Sequence, residues 1–192
     1  MAQEVPVADP RPLPGEPLAL DLLNTRWNGG GNPRDLLGSL DELALWLELN
    51  GFADRVEADR PMQEALRSTR EAIVELLAVR GVGAEPHWGP ERARTALNEV
   101  LAHGCVRREL GPDGPVDRIE TDLPAWLPAW TAAEGVLRLL AEAPDRIRSC
   151  ASPDCVLYFL DTSKNGTRRW HAMASCGNRA KASRHYARGK NG

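Results

Sequence analysis

The sequence predicts a mainly α-helical protein: a helical N-terminal domain with one small β-hairpin, then a small cysteine-containing module that ends in a helix. Apolar residues recur at helical spacing in five segments between residues 18 and 143. One stretch of strand-like residues around Gly-Pro-Asp-Gly interrupts these segments. After Pro144 the composition changes, since the last 48 residues are basic and hold three of the four cysteines.

The first two helices are predicted from their apolar runs and their end signals. Residues 18–27, LALDLLNTRW, form an apolar run that the sequence NGGGNP ends at residues 28–33. Ser39 and Glu42 have the spacing of a capping box in front of the second apolar stripe. Gly51 is suited to end that helix, because glycine readily adopts the left-handed conformation of a helix C-terminus.

The rest of the N-terminal domain is predicted as three further helices and a hairpin. The helices are expected from Pro61 to Arg80, from Pro90 to about His103, and from about Ala129 to Ala143. The segments CVRREL and PVDRIE flank a Gly-Pro-Asp-Gly sequence, which predicts a β-hairpin with its turn at Asp113-Gly114.

The charge is divided unevenly along the chain. Residues 1–144 hold 14 Lys and Arg against 24 Asp and Glu, a net charge of −10. Residues 145–192 hold 10 Lys and Arg against 3 Asp and Glu, a net charge of +7. This division indicates an acidic body with a basic module that meets a polyanion. A disordered basic tail is the alternative, which Tyr158, Phe159 and Trp170 disfavour because disordered tails are poor in aromatic residues.

The N-terminal segment and the hydropathy of the chain predict where in the cell the protein is found. Residues 1–17 contain acids and five prolines, with no basic start followed by an apolar run, so we expect an extended arm and no secretory signal. No run of 18 apolar residues occurs, so no membrane span or membrane partner is expected. A cytoplasmic protein is therefore predicted, in which disulfides are disfavoured and clustered cysteines indicate a metal site.

The candidate metal ligands are Cys150, Cys155, His171 and Cys176. Their spacing is C-x4-C, then fifteen residues, then H-x4-C, so two local pairs are joined by an insert of hairpin length. Two such pairs suit a tetrahedral zinc ion, and four protein ligands leave no open position, so one structural Zn²⁺ is predicted. Unrelated free thiols are the alternative. His185 competes with His171 for the fourth position.

The C-terminal module also resembles a known family. The sequence Cys-Gly-Asn-Arg at 176–179, with RRW at 168–170 and the C-x4-C pair, resembles the CGNR zinc finger. The matching positions are Cys150, Cys155, Phe159, Asp161, Arg168, Arg169, Trp170 and the residues from Cys176 to Arg179. The family usually has a cysteine after the RRW tryptophan, where this chain has His171, so four cysteines become three cysteines and one histidine.

The N-terminal domain carries LDLLNT near its start and DELALWL in its second helix. In these motifs it resembles the ABATE domain, which precedes this finger in bacterial proteins. With the arm (1–17) and the border at Pro144 that the composition predicts, this resemblance implies a ligand-sensing domain (18–144) and a basic CGNR-type finger (145–192). It also implies a role in transcription under stress, with DNA and an unidentified small ligand as partners. A homodimer would strengthen DNA binding by a lone finger through avidity.

The basic residues of the module are expected to contact phosphates. In a helix that begins near Cys176, one stripe carries Lys181, Arg184, His185 and Arg188, and the insert adds further positive charge. The predicted nucleic-acid-binding residues are Lys164, Arg168, Arg169, Lys181, Arg184 and Arg188. No base preference is predicted, because the chain has no finger of the repeated two-Cys, two-His type.

Four further residues of the finger are predicted to be structural: Asp161, Trp170, Asn178 and Arg179. Arg179 lies on the face opposite Lys181, and an inward arginine needs an acidic partner, so an Arg179–Asp161 contact is predicted. Asn178 either caps a helix or contacts a base, and the cap is favoured. Trp170 either fills the small core or stacks on a base, and the core is favoured.

In the N-terminal domain a polar cluster interrupts the first apolar run. It consists of Asp21, Asn24, Thr25 and Arg26, and it is either a buried hydrogen-bonded network or a ligand site, with the network favoured. His103 lies near Cys105, but no other nucleophile–base pattern surrounds them, so no catalytic residue is predicted.

Three functions follow from these patterns. The favoured one is a transcription regulator with a ligand-sensing acidic domain and a DNA-binding finger. The alternative is a non-catalytic adaptor whose finger binds RNA or an acidic protein. A metal-dependent enzyme needs an open metal position, which four protein ligands do not leave.

Overall fold

The computed structural model of the chain describes residues 8–29 and 31–182. Helices and short strands alternate along it in the following order: α1 (Leu18–Leu23), β1 (Arg26–Gly29), β2 (Asn32–Asp35), α2 (Leu40–Leu49), α3 (Arg60–Ala78), α4 (Pro90–Leu101), β3 (Gly104–Gly111), β4 (Gly114–Thr121), α5 (Leu127–Glu142), β5 (Ile147–Ser149) and β6 (Tyr158–Leu160). Short helical turns cover Pro124–Trp126 and Pro144–Arg146, and a wide helical turn covers Met173–Gly177. Residues 178–182 continue as helix, and the predicted helix beyond them lies outside the described residues.

The helix ends follow from local hydrogen bonding. The backbone N–H of Glu42 donates to Ser39 Oγ at 3.2 Å, which confirms Ser39 as the cap of α2. The Glu42 carboxylate accepts from the Ser39 hydroxyl at 3.2 Å, whereas a full capping box uses the Ser39 backbone N–H. Gly51 follows α2 with φ +72°, as a left-handed helix end requires. Asp59, which the sequence prediction missed, caps α3 by accepting the N–H of Met62 at 2.8 Å.

The prediction of a single hairpin was wrong. Within the described residues there are three antiparallel two-stranded sheets, β1–β2, β3–β4 and β5–β6. The first apolar run leaves the helix at Leu23, and the glycine-rich segment predicted as a break closes the β1–β2 hairpin, with Gly31 at φ +92° in its turn. Glycine supplies this conformation at no steric cost, so the same residues that end a helix also join two strands.

The β3–β4 hairpin is confirmed, but its turn lies one residue earlier than predicted. Gly111 pairs with Gly114, so the two connecting residues are Pro112 and Asp113. Gly114 has φ +130° and forms the first position of β4. The glycine therefore starts the return strand, where its conformational freedom is also needed.

The core lies between α1, α3 and α5. These helices bury small and branched side chains, including Ala19 and Leu20 on α1, Leu66 and Ile73 on α3, and Val136 on α5. Helix α4 packs on α3 and α5 from outside. Within the described ranges, no helix has the length and apolar character needed to cross a membrane.

The C-terminal segment packs on this core. Ile147, Leu157 and Tyr158 belong to the same hydrophobic cluster as the residues of α1 and α3. The side chain of Asn24, at the end of α1, donates to the Tyr158 carbonyl at 2.9 Å and accepts the Tyr158 N–H at 2.8 Å. Glu16 accepts the N–H of Leu160 at 2.8 Å. Strand β6 is thus joined to the N-terminal domain along its length.

Candidate functional site

The four predicted metal ligands meet in one cluster. Cys150 follows β5, Cys155 closes the turn after it, His171 ends the long loop after β6, and Cys176 lies on the wide turn. Their ligand atoms all lie within 4.8 Å of one another. Cys150, His171 and Cys176 are buried, whereas Cys155 is half-buried. His185 lies outside the described residues, and the cluster has four ligands without it.

The distances inside the cluster fit zinc. Cys155 Sγ lies 3.5 Å from His171 Nδ1. A tetrahedral ion with its usual zinc–sulfur and zinc–nitrogen bonds separates two such ligand atoms by about 3.6 Å. Nδ1 is therefore the nitrogen that His171 offers. Three cysteines and one histidine brought this close together are the donor set of a structural zinc site.

The protonation of the ligands follows from their burial. Desolvation, reinforced by the positive charges of Arg168 and Arg179, lowers the pKa of His171, so its imidazole is neutral and ready to ligate near pH 7. Desolvation, reinforced by the neighbouring Cys150 and Cys176, raises the pKa of the Cys155 thiol to about 12. In the absence of a cation the thiol thus keeps its proton, and zinc binding must displace it.

Backbone hydrogen bonds hold the two ligand pairs together. The N–H of Cys150 donates to the Leu157 carbonyl at 2.8 Å, which closes the loop that carries Cys155. The N–H of Ala151 donates to the Arg169 carbonyl at 2.8 Å, which joins the first pair to the segment before His171. The insert therefore returns to the first pair, as the spacing predicted.

Asp161 is buried and orders the insert, but the predicted Arg179–Asp161 contact was wrong. The carboxylate accepts the N–H of Ser163 at 2.9 Å and that of Arg168 at 2.8 Å. A hydrogen bond from the Ser163 side chain and, after it, these two backbone donors lower the pKa of Asp161 against the effect of desolvation. Both oxygens are thus used by the backbone of their own loop. Arg179 is exposed, and its charge acts on His171 instead.

Arg168 lies inside the finger, contrary to its predicted role in an outer phosphate-binding surface. Its guanidinium lies over the Phe159 ring, 4.8 Å from the ring centre. It donates to the Trp170 carbonyl at 3.0 Å and to the His171 carbonyl. Arg168 therefore positions the backbone of a zinc ligand, which leaves it half-buried and occupied.

The other predicted basic residues are more accessible. Lys164, Arg169 and Lys181 are exposed, and the Arg169 guanidinium lies 5.2 Å from the ring centre of Trp170. Arg184 and Arg188 lie outside the described residues. Trp170 itself is half-buried, and its role in filling the finger's core stays a prediction. Asn178 is exposed and its side chain donates to the Ala174 carbonyl at 3.4 Å, a contact within its own helical turn.

Two members of the polar cluster, Asp21 on α1 and Asn24 just after it, form buried hydrogen bonds. Asp21 accepts hydrogen bonds from Arg11 at 2.5 Å, from Trp46 Nε1 at 2.8 Å and from Asn50 at 3.2 Å. Asn24 binds the backbone of Tyr158, as described above. The arm residue Arg11, which the sequence prediction missed, is buried against Asp21 because its charge is paired there.

Thr25 and Arg26 belong to a second network centred on Arg70. The buried Arg70 donates to Thr25 Oγ1 at 2.6 Å and forms a two-pronged ion pair with Asp35 at 2.7 and 2.9 Å. Burial pushes the pKa of Asp35 upward, but the guanidinium of Arg70 outweighs it and holds that pKa below its usual value. Arg26 is half-exposed and pairs with Asp35 and Glu71.

Comparison with known proteins agrees with this site. The sequence profile of the CGNR zinc finger matches residues 146–189. The profile of the ABATE domain, with the description "Putative stress-induced transcription regulator", matches residues 16–146. One curated relative, the 2'-N-acetylparomamine deacetylase of Streptomyces fradiae, is 33% identical over 78 residues, or 40% of this chain. The chain spans only 27% of the length of that relative.

The ABATE match covers more than half of the chain, and the finger match contains all four clustered ligands. The cysteines and the histidine fit one structural zinc ion. The chain therefore belongs to the ABATE family and carries a CGNR zinc finger.

Proposed function

We propose that this protein is a non-catalytic transcription regulator of the cytoplasm, whose zinc-stabilised basic finger binds DNA and whose acidic N-terminal domain senses a small ligand. The family description supports a regulator. The positive charge of the finger supports DNA as the partner, and a cavity between the N-terminal domain and the finger supports a sensor.

The observation that carries DNA binding is the unpaired positive charge of the finger. Four exposed basic side chains have no carboxylate of the described residues within ion-pair distance: Lys164, Arg169, Arg179 and Lys181. In residues 1–144, by contrast, acids outnumber the basic residues by 24 to 14, and arginines such as Arg11, Arg70 and Arg108 pair with them. Unpaired exposed cations suit phosphates, since binding releases the condensed counterions of the polyanion.

The composition of the metal site supports a structural role for the ion. Catalytic zinc sites keep a position for water or substrate, whereas here three thiolates and one imidazole fill the tetrahedral shell. The match to the deacetylase covers only 27% of that enzyme's length, so its activity is not evidence for an activity of this chain. Zinc in this protein maintains the finger that carries the cations.

DNA binding is tested with the full zinc-loaded chain and a labelled mixed-sequence duplex, by fluorescence anisotropy at several salt concentrations. We expect binding that weakens as salt rises, with a slope of about −0.9 in log–log units for each phosphate neutralised. The triple variant Lys164→Gln, Arg169→Gln, Lys181→Gln should bind more weakly, with a slope smaller in magnitude by up to about 3.

The matched control removes three exposed arginines from the N-terminal domain: Arg55→Gln, Arg60→Gln and Arg92→Gln. Both triple variants lower the net charge of the chain by the same amount, so a difference between them reports the position of the charge. An equal loss of duplex affinity in the two triple variants would overturn the DNA assignment. The absence of duplex binding by the wild type at low salt would do the same. Tight binding to RNA or an acidic protein with no duplex binding would favour the adaptor.

A further inference from the structure

A cavity of about 450 Å³ lies where the N-terminal domain meets the finger. The β1–β2 hairpin and α3 form one side, and the residues just after Cys155 form the other. Its apolar walls are Leu23, Trp27, Pro33, Val74, Val156 and Tyr158. The volume falls within the range of about 300–1,000 Å³ that small-molecule sites occupy.

The charges around this cavity are not balanced. Arg26 and Arg70 on its wall are paired with Asp35 and Glu71. Arg34 also lines the cavity, is exposed, and lies over Trp27 at 5.8 Å from the ring centre. In the part of the chain that the structure describes, no carboxylate lies within ion-pair distance of Arg34. One uncompensated cation therefore lies beside an aromatic wall.

The cavity is joined to the metal centre by the covalent chain. Val156 follows the zinc ligand Cys155 directly, and it is 48% exposed although it is a large apolar residue. Tyr158, two residues further, has its backbone held by Asn24. A molecule that packs against Val156 and Tyr158 therefore contacts the segment that determines where the Cys155 thiolate lies.

We propose that this cavity binds a small aromatic carboxylate, with its ring against Trp27 and Val156 and its carboxylate on Arg34. A purely polar anion would leave the apolar walls in contact with water, and a cation would be repelled by Arg34. A neutral aromatic molecule would forgo the charge-assisted hydrogen bonds that Arg34 offers. The identification of this molecule as the effector rests on the proposed regulatory function, but the binding itself does not.

Of the four residues that the sequence predicted to bind a small ligand, only Arg26 lines this cavity.

Ligand binding in the cavity should also strengthen zinc binding by the finger. A ligand that packs between Val156 and the N-terminal domain favours the arrangement in which Cys155 faces the other zinc ligands. By linkage, the ligand then raises zinc affinity by the same factor by which zinc raises ligand affinity, which is about fivefold or more for ordinary coupling.

The test uses the zinc-loaded full chain and 1-naphthoate, measured by calorimetry. We expect binding with a dissociation constant below about 1 mM. The variant Arg34→Gln should weaken it by about tenfold or more, and the neutral 1-naphthamide should bind the wild-type chain more weakly by a similar factor. Zinc competition with a chromogenic chelator should report tighter zinc in the presence of 1-naphthoate.

Arg92→Gln is the matched control, because Arg92 also lies over a tryptophan, Trp88 at 4.6 Å, but outside the cavity. It should bind 1-naphthoate as the wild type does. No binding at about 1 mM, equal affinity for 1-naphthamide, or equal losses in the two arginine variants would overturn the proposal. Ligand binding without duplex binding would sustain this site and overturn the DNA assignment, whereas duplex binding without ligand binding would do the reverse.

Discussion

His171 is the residue on which the chemistry of the metal centre turns. It stands where the family usually has a cysteine, so the ligand set holds three thiolates and one imidazole. Because burial and the neighbouring arginines lower the pKa of His171, the ring stays unprotonated near neutral pH and does not need to lose a proton to bind the ion. The substitution also leaves the loaded site one negative charge short of a four-cysteine finger.

Removing this imidazole should cost most of the zinc affinity. We expect His171→Ala to weaken zinc binding by more than about a hundredfold, since loss of a second-layer partner alone costs about 10- to 100-fold. His171→Cys should retain one zinc ion per chain, because it restores a four-thiolate set. The measurement is competition with a chromogenic chelator at pH 7, with metal content determined on the purified protein.

His185→Ala serves as the control, because His185 is the other histidine that the spacing allowed as a ligand. It should bind zinc as the wild type does. Unchanged affinity in His171→Ala together with a loss in His185→Ala would contradict the ligand set, and would mean that the predicted C-terminal helix folds back onto the cysteines.

The ligand set could be predicted from spacing because each pair is local, and one turn of chain fixes which side chains are near. The partner of Asp161 could not be predicted in this way. Its carboxylate binds backbone N–H groups of its own loop, and backbone donors are the same at every residue, so no pattern of side chains marks them. An arginine elsewhere in the finger was therefore assigned to an acid that already had partners.

At the scale of elements, the end of α1 and the β1–β2 hairpin hold the finger on the N-terminal domain. Asn24 pairs with both backbone groups of Tyr158, as a neighbouring strand would, and it is fully buried. Asn28 on the hairpin makes a second contact, donating to the Asp154 carbonyl at 2.6 Å, but at the surface. Asn24 and Asn28 thus attach the two matched segments to each other.

Asn24→Ala should destabilise the chain by about 2–4 kcal/mol, because it leaves a buried N–H and a buried C=O of Tyr158 without partners. Asn28→Ala should change stability by less than about 0.5 kcal/mol, because water can replace an exposed hydrogen bond. Urea unfolding of both zinc-loaded variants measures the difference. Similar free energies of unfolding for the two would show that Tyr158 is held in another way.

The sequence predicted the helices better than it predicted the strands. Capping residues and apolar stripes are local signals, and Ser39, Gly51 and Pro61 mark ends that the structure contains. Strands β1, β2, β5 and β6 have only three or four residues each, so alternation has too few positions to register.

For the whole molecule, the acidic and basic parts differ in charge but share one core. Ile147, Leu157 and Tyr158 of the finger segment pack in the same cluster as Leu20 and Leu66. The division of charge was evident from the sequence, whereas the shared core was not, since composition alone predicted a separate small module. Unfolding of the finger would therefore expose part of the core that the N-terminal domain also uses.

Removing zinc should therefore destabilise the whole chain and not the finger alone. Metal binding contributes about 10–16 kcal/mol to the folding of isolated zinc-finger peptides. If even a small part of that free energy reaches the shared core, chelation should lower the midpoint of a single thermal transition by more than about 5 °C, since 1 kcal/mol shifts a chain of this length by about 2–4 °C. Circular dichroism of the α-helices, with and without chelator, measures this shift, because α1 to α5 lie outside the finger.

Two cysteine variants provide the controls. Cys150→Ser should unfold at the midpoint of the chelated wild type, with or without chelator. Cys105→Ser, on an exposed strand away from the cluster, should respond to chelator as the wild type does. A helical transition that chelator leaves in place, with the finger melting separately, would mean that the two segments fold independently and that the packing around Tyr158 transmits nothing between them.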